Sequence, residues 1–235
     1  DEVLLPNASL ASEDKLSPQA LLDFARYQAD TTAHFLDAQA ALIKQYARPG
    51  QWVTTNYTNV TTASDPRRSH GMDFTTFTLY PVAGANVLGG DSYAIGNPAR
   101  LMEAAAYFRS LNGTFGVMEM QPGQVNWGGI NPQPMPGAIN MWLWHAFASG
   151  ASLVATYRYR HPLAGSEMYH MGIVGTDGVT LSRTGREYVA AMKEIKALEP
   201  RLDARARLPE PLAARYTGYL WSQDVFWDLE IQPQT

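Results

Sequence analysis

Thr114-Phe115-Gly116-Val117-Met118-Glu119-Met120-Gln121-Pro122-Gly123-Gln124-Val125-Asn126-Trp127 is the stretch whose reading decides the fold. Five mostly apolar or β-prone residues lead into a carboxylate. Pro122 and Gly123 then break the extended run, and an indole follows eight residues after the acid. Thr114 to Met118 carries apolar or small residues on both alternate faces, the pattern of a strand buried in a parallel sheet. Glu119 then stands at the C-terminal end of that strand, the end at which parallel α/β enzymes do their chemistry. A carboxylate with an indole nearby suits sugar cleavage. The acid attacks or stabilises the anomeric carbon while the ring covers the apolar face of a pyranose. The competing reading is a surface Glu that merely ends a strand, and spacing alone does not choose between them.

Upstream, residues 1–16 lack a period and read as loop. Ser17-Pro18 opens a helix, with Ser as N-cap and Pro at the first helical position. Leu22, Ala25, Ala29, Ala33, Leu36, Ala40 and Ile43 continue it at helical spacing, and Pro49-Gly50 ends it. Gln51 to Asn56 reads as a strand, followed by a polar loop with an Asp65-Pro66 turn. Asp73 to Tyr80, rich in β-branched and aromatic residues, is a second strand stopped by Pro81. A Gly-rich loop covers 83–96, and Pro98 opens a helix to about Leu111, closed by Asn112-Gly113.

Downstream of Glu119, residues 120–136 hold four prolines and three glycines, a long loop of the kind that carries function. Gly137 to Ser149 is a helix apolar nearly all round, hence buried, and Ala151 to Tyr157 is a fourth strand. A second long loop spans 158–182. Thr184 is the expected cap of a helix over Gly185 to Leu198. Three prolines and several charges at 199–213 read as a domain linker, and Tyr216 to Trp221 as a new strand. Strands alternating with helices predict a parallel sheet with crossover helices. Four strands cannot close a barrel, so the alternatives are half of an eight-stranded barrel or a small open sheet.

Composition narrows the function. The 235 residues are 46% hydrophobic and 17% charged, so the chain is globular. With net charge −4 and no basic run, a nucleic-acid partner is not expected. No cysteine is present, which removes thiol catalysis and Cys-based zinc sites. No apolar run is long enough to span a membrane and no leader pattern opens the chain; the compartment is not fixed by the sequence, with the cytoplasm the first expectation and the periplasm or secretion the alternatives. Starting at Asp1, the sequence is compatible with a matured chain or a piece of a longer one.

Each candidate residue has a plainer alternative. Tyr80 either hydrogen-bonds Glu119 or is a core Tyr at a strand end. Trp127 is a sugar platform or a loop anchor. Glu167 and His170, three apart in a loop, either bind hydroxyls or join a third ligand such as His161 on a metal. Asn56 ends its strand on the same rim, where a turn-forming role is the simpler reading. Arg158, Tyr159 and Arg160, at the end of the last strand, either hold substrate or pair with acids. No G-x-G-x-x-G follows a strand, which counts against a small oxidoreductase.

An ordered set of motifs resembles the second half of a glycoside hydrolase family 42 β-galactosidase over nearly the whole chain. It runs from Asp1-Glu2-Val3-Leu4-Leu5-Pro6 through Val53-Thr54-Thr55-Asn56 and Asp73-Phe74 to Tyr80-Pro81. It continues with Met118-Glu119-Met120-Gln121-Pro122-Gly123, Asn126-Trp127 and Met141-Trp142-Leu143-Trp144. It ends with Gly165-Ser166-Glu167-Met168-Tyr169-His170 and Gly172-Ile173-Val174-Gly175-Thr176-Asp177-Gly178. The resemblance implies a retaining β-galactosidase on a (β/α)8 TIM barrel, an α/β fold, with these strands as barrel strands 5–8. By position Glu119 matches the nucleophile and Tyr80 the tyrosine beside it. Trp127 matches a sugar-stacking Trp, and Glu167 and His170 match residues that hold galactose hydroxyls. It implies residues 1–198 as the C-terminal half of the barrel, 199–213 as linker and 214–235 as the start of a Rossmann-like domain that trimerises in the family.

The resemblance also marks departures. The family's acid/base follows an Asn, and no Asn-Glu pair occurs here. Met120 stands where Gln is usual, and the zinc-binding cysteines of some members are missing. The expected partners are therefore a β-galactoside, the N-terminal half of the barrel and further copies of the chain, with no cofactor and no metal. Alone, the chain is expected to be inactive and to need its other half, or self-association, for stability, because a half barrel exposes two sheet edges. The alternative from another class is a non-catalytic sugar-binding or assembly module.

Overall fold

The computed structural model describes residues 17–58, 64–83, 93–202 and 218–233. The loop expected at 1–16, most of the Gly-rich loop and most of the linker lie outside these residues. The elements are α1 (Pro18–Tyr46), β1 (Asn56–Tyr57), a 3₁₀ turn (Pro66–Arg68), β2 (Thr75–Leu79) and α2 (Pro98–Asn112). β3 (Phe115–Met120), α3 (Ala138–Ala148), β4 (Ala151–Thr156), α4 (Arg183–Leu198), a second 3₁₀ turn (Glu199–Arg201) and α5 (Gln223–Ile231) follow. They fall into two compact units, one drawn from Asp1–Val53, Val60–Asp73 and Arg205–Thr235, the other from Thr54–Asn59 and Phe74–Ala204. No helix among the described residues is long and apolar enough to cross a membrane.

In the first unit, α1 begins with Pro18 at a helical start, although the Ser17 side chain makes no capping hydrogen bond. Leu22, Ala29, Ala33 and Ala40 form its buried stripe. Asp37 faces a loop and accepts hydrogen bonds from the Ser69 hydroxyl at 2.6 Å and from the backbone N–H groups of His70 and Gly71. Burial works against this carboxylate, but those donors hold its pKa below the ordinary Asp value. The stretch read as a strand over Gln51–Asn56 is strand only from Asn56. Val53 spends both of its backbone groups on Asp73, donating to Oδ2 at 2.7 Å and accepting from its N–H at 2.9 Å. The strand expected at Tyr216–Trp221 is not formed by residues 218–222. Ser222 instead caps α5 by accepting from Val225 N–H, with Asp224 in the first turn where the helix dipole favours it. Trp227 of α5 packs on Leu22 and Ala29, under the Arg68 guanidinium 5.6 Å from its ring centre.

In the second unit the four strands form one sheet in the order β1-β2-β3-β4, every pair parallel. α2 and α3 return the chain to the next sheet position between β2 and β3 and between β3 and β4, while the described residues between β1 and β2 hold a 3₁₀ turn and no α-helix. Phe77, Phe115 and Val117 point to the helix side, where Phe77 stacks on Phe108 of α2 at 4.5 Å. α3 is buried through Ile139, Trp142 and Leu143. α4 is capped by Ser182, whose hydroxyl accepts from Gly185 N–H at 2.9 Å, two residues before the expected Thr184. A Cβ at Gly185 would meet the Ile173 carbonyl at 2.0 Å, so the first turn of α4 sits directly on the preceding loop.

The opposite face of the sheet carries Asn56, Thr76, Gly116 and Leu153 in one row. A Cβ at Gly116 would meet Thr76 Cγ2 at 2.9 Å and Leu153 Cβ at 3.2 Å, so glycine lets three strands approach at that level. β3 then carries an extra residue. Thr76 pairs with Gly116 and Thr78 with Glu119, two steps on β2 against three on β3, and the register also shifts against β4. This β-bulge reverses the alternation. Without it Met118 would share the face of Gly116 and Thr78. With it, Glu119 does.

Candidate active site

Glu119 is thus brought, one residue before the end of β3, onto the face that carries Asn56 and Thr78. Its carboxylate is held by both oxygens. The Tyr80 hydroxyl donates to Oε1 at 2.5 Å, and Asn56 Nδ2 donates to Oε2 at 3.0 Å. The amide of Asn56 is itself oriented, because its Oδ1 accepts from the Thr78 hydroxyl at 3.0 Å. Burial first, and then the bond to Glu119, push the Tyr80 phenol well above its ordinary pKa, so it stays a donor throughout the working range.

The segments after β2 and β3 are locked together by Gln121, which is fully buried. Its amide oxygen accepts from Val82 N–H at 2.9 Å, and its amide nitrogen donates to the carbonyls of Val82 and Gly123, each at 2.8 Å. The Pro81–Val82 corner that follows Tyr80 is therefore fixed to the strand that carries Glu119. Farther along, Met171 N–H donates to the Gln124 carbonyl and Asn126 Nδ2 to the Ser166 carbonyl. These bonds join the loop after β3 to the loop after β4.

Those loops deliver the remaining candidates to Tyr80. Trp127 sets its ring at 78° to Tyr80 with centroids 5.0 Å apart, yet 52% of the residue stays exposed. It is anchored by an edge and still presents an indole surface. His170 is 0% exposed and lies 6.0 Å from the Tyr80 ring and 5.2 Å from that of Tyr157, stacked on the latter. Neither ring nitrogen has a hydrogen-bond partner among the described residues. Burial pushes its pKa below the ordinary imidazole value, which keeps the ring neutral near pH 7. Glu167 accepts from the Tyr157 hydroxyl at 2.7 Å and pairs with Arg158 at 3.1 Å.

Glu119, Tyr80, Trp127, Glu167 and His170 therefore form one continuous cluster at the C-terminal ends of β1 to β4. Three further residues belong to it. Asn56, weighed in the sequence as a turn residue, bonds Glu119, and Thr78 orients it. Tyr157 links His170 to Glu167. The signal that marks Asn56 and Tyr157 is the one that marks Glu119, a polar side chain at the C-terminal end of a parallel strand. Of the trio at the end of β4, Arg158 pairs with an acid, whereas Arg160 donates to the Thr176 carbonyl and Tyr159 is exposed. His161 is engaged by the Met168 carbonyl at 2.8 Å, and no group of three metal-ligating side chains occurs among the described residues.

Comparisons with known proteins identify what the chain is similar to. The chain is 30% identical to a β-galactosidase of Thermus thermophilus over 99% of its own length and 35% of the relative's. It is 31% identical to the β-galactosidase Bga of Halorubrum lacusprofundi over 92% of its length and 30% of the relative's. Among solved structures, the polyextremophilic β-galactosidase of that haloarchaeon superposes with a TM-score of 0.80 over 92% of this chain and 32% of that one, at 30% identity. The β-galactosidase of the psychrophilic Marinomonas ef1 superposes with a TM-score of 0.81 over 98% of this chain and 36% of that one, at 27% identity. The chain spans about a third of the length of the relatives it matches. The α/β fold with its parallel sheet thus matches the barrel structures of these proteins. The family profile described as β-galactosidase covers residues 1–198, and the chain belongs to glycoside hydrolase family 42.

Proposed function

We propose that this chain is the nucleophile-bearing half of a retaining β-galactosidase that hydrolyses terminal β-D-galactosides by double displacement. The observation that carries the reading is the doubly held carboxylate of Glu119 at the C-terminal end of β3. A retaining mechanism needs two carboxyl groups about 5 Å apart, one ionised to attack the anomeric carbon and one protonated to assist departure. Glu119 is the ionised one. Tyr80 and Asn56 fix the carboxylate plane, so the attacking oxygen need not reorganise as the glycosyl–enzyme bond forms. Trp127 offers its exposed face to the sugar and Glu167 takes a hydroxyl, whereas His170, expected as a second hydroxyl ligand, is fully buried and supports Tyr80 and Tyr157 from behind.

In this reading β1 to β4 are barrel strands 5 to 8, and the N-terminal half of the barrel supplies the acid/base group. Residues 1–198 belong to the barrel, 199–213 to a linker and 214–235 to the start of the domain through which copies assemble as trimers, with α5 of that segment packed on α1 in one compact unit. The alternative of a non-catalytic module is not favoured, because the curated relatives named above are β-galactosidases.

The test is labelling with a 2-deoxy-2-fluoro-β-galactoside bearing a dinitrophenolate leaving group, followed by peptide mass mapping. That leaving group departs without acid help, so the adduct reports the nucleophile alone. An adduct on Glu119, in the chain joined to its N-terminal half, is the expected result. A folded, active enzyme labelled on any other residue refutes the assignment.

A further inference from the structure

Tyr157 follows directly on β4, and its side chain makes three contacts. Its ring stacks on the buried His170 at an interplanar angle of 28°. The Arg158 guanidinium lies 5.0 Å over the same ring. Its hydroxyl donates to Glu167 Oε2 at 2.7 Å, the oxygen that also accepts from Arg158 Nη1 at 3.1 Å. No described residue bonds the other oxygen, Oε1.

The ion pair by itself is a poor anchor. Its two side chains are 29% and 39% exposed, and a pair that open to water contributes little and leaves a long carboxylate free to turn. The Tyr157 hydroxyl changes this. A ring with two torsions, in contact with an imidazole and a guanidinium, aims one donor at the oxygen that Arg158 already holds. The two donors come from consecutive residues at the end of one strand and converge on one oxygen. The bond also reaches across the loop between Arg158 and His170, where the His170 N–H closes back on the Glu167 carbonyl at 2.9 Å. The side chain and the backbone of Glu167 are therefore each tied to the Tyr157–His170 stack.

We infer that Tyr157, backed by the buried His170, is a positioning residue that locks Glu167 through Oε2 and reserves Oε1 for a ligand hydroxyl. The inference rests on the reading of Glu167 as a sugar ligand in a galactosidase. It acts through Glu167 and not on the anomeric centre, so it stabilises bound substrate and transition state alike, and its loss falls on KM with kcat held.

The test is a double-mutant cycle in the intact enzyme, the chain together with its N-terminal half, with Tyr157→Phe, Glu167→Ala and the pair. Phenylalanine keeps both ring contacts and removes only the donor. For Tyr157→Phe the expected result is a roughly tenfold rise in KM for a nitrophenyl β-galactoside, the lower end for a hydrogen bond to a charged group because Arg158 remains. In the Glu167→Ala background the same change has an effect below about twofold, since there is no carboxylate left to hold. An unchanged KM, a loss confined to kcat, or effects that multiply across the two sites would each overturn the inference. Melting curves of all four proteins separate a folding defect from these outcomes. If the wild-type enzyme neither turns over galactosides nor is labelled at Glu119, the galactosidase reading itself fails and the inference falls with it. An active wild type with multiplicative effects removes only the role of Tyr157.

Discussion

Replacing Tyr80 with Phe isolates the contact on which the proposed nucleophile depends. The hydroxyl donates to Glu119 Oε1 at 2.5 Å, a charge-assisted bond of the stronger kind. Such bonds contribute about 1.5–3 kcal/mol. Asn56 still holds Oε2 at 3.0 Å in the variant, so the carboxylate keeps one of its two donors and the lower half of that range applies. At about 1.4 kcal/mol per factor of ten, the expected cost is a roughly ten- to fortyfold fall in kcat/KM. The ring survives the change, and with it the edge contact to Trp127 at 5.0 Å and the tilted contact to His170 at 6.0 Å, so the cost is assignable to the hydroxyl. The assay is steady-state hydrolysis of a dinitrophenyl β-galactoside by the intact enzyme, where departure of the leaving group needs no proton and the rate reports attack by Glu119. The raised pKa of Tyr80 adds a second expectation, that the ratio of wild-type to variant rates stays flat from pH 6 to 9, because the donor does not titrate there. A variant within twofold of wild type, still labelled on Glu119, would refute the idea that Tyr80 fixes the attacking group.

Two further changes test the scaffold. Gln121→Leu strips Val82 N–H and the carbonyls of Val82 and Gly123 of their buried partner, so stability should fall by about 3 kcal/mol or more, read as the urea midpoint of the intact enzyme. A loss under about 1 kcal/mol would mean the two loops are held by something else. His170 has a folded pKa below its unfolded value, near 6.5. The unfolded chain therefore binds the proton first, and stability drops as pH falls from about 6.5 through the folded pKa. His170→Phe should shrink the difference in melting temperature between pH 7.5 and 5.5, and an unchanged difference would count against this linkage.

Much of the fold was legible along the chain. Pro18, Pro98 and Gly113 mark helix ends that the structure keeps, and the alternation of helical and β-prone segments carries the parallel order of the sheet. These signals are local: a missing N–H, a left-handed φ of 75° at Gly113, and a period of apolar residues read directly from neighbours in sequence. The failures came where a local signal was outbid. The Gln51–Val53 stretch looks like a strand, but Gln51 N–H closes back on the Arg48 carbonyl and both backbone groups of Val53 are taken by Asp73, a residue 20 positions away. The Tyr216–Trp221 stretch looks like a strand before Ser222 and Asp224 start a helix beyond it.

The candidate site divides along the same line. The sequence by itself determined that Glu119 stands at the end of a buried strand, that prolines and glycines free the loops after it, and that Tyr80, Trp127, Glu167 and His170 follow strands on one rim. Only the tertiary structure decided which of them meet. Whether Glu119 faces Asn56 and Thr78 depends on a bulge seen only against the registers of β2 and β4, and one residue either way sends the carboxylate to the other side of the sheet. The Tyr157–Glu167 bond and the pairing of Asn56 with Glu119 across 63 residues are likewise products of register and loop closure. Side-chain type is written at one position, but a contact is a property of two, and their separation is settled when the sheet closes its ladder.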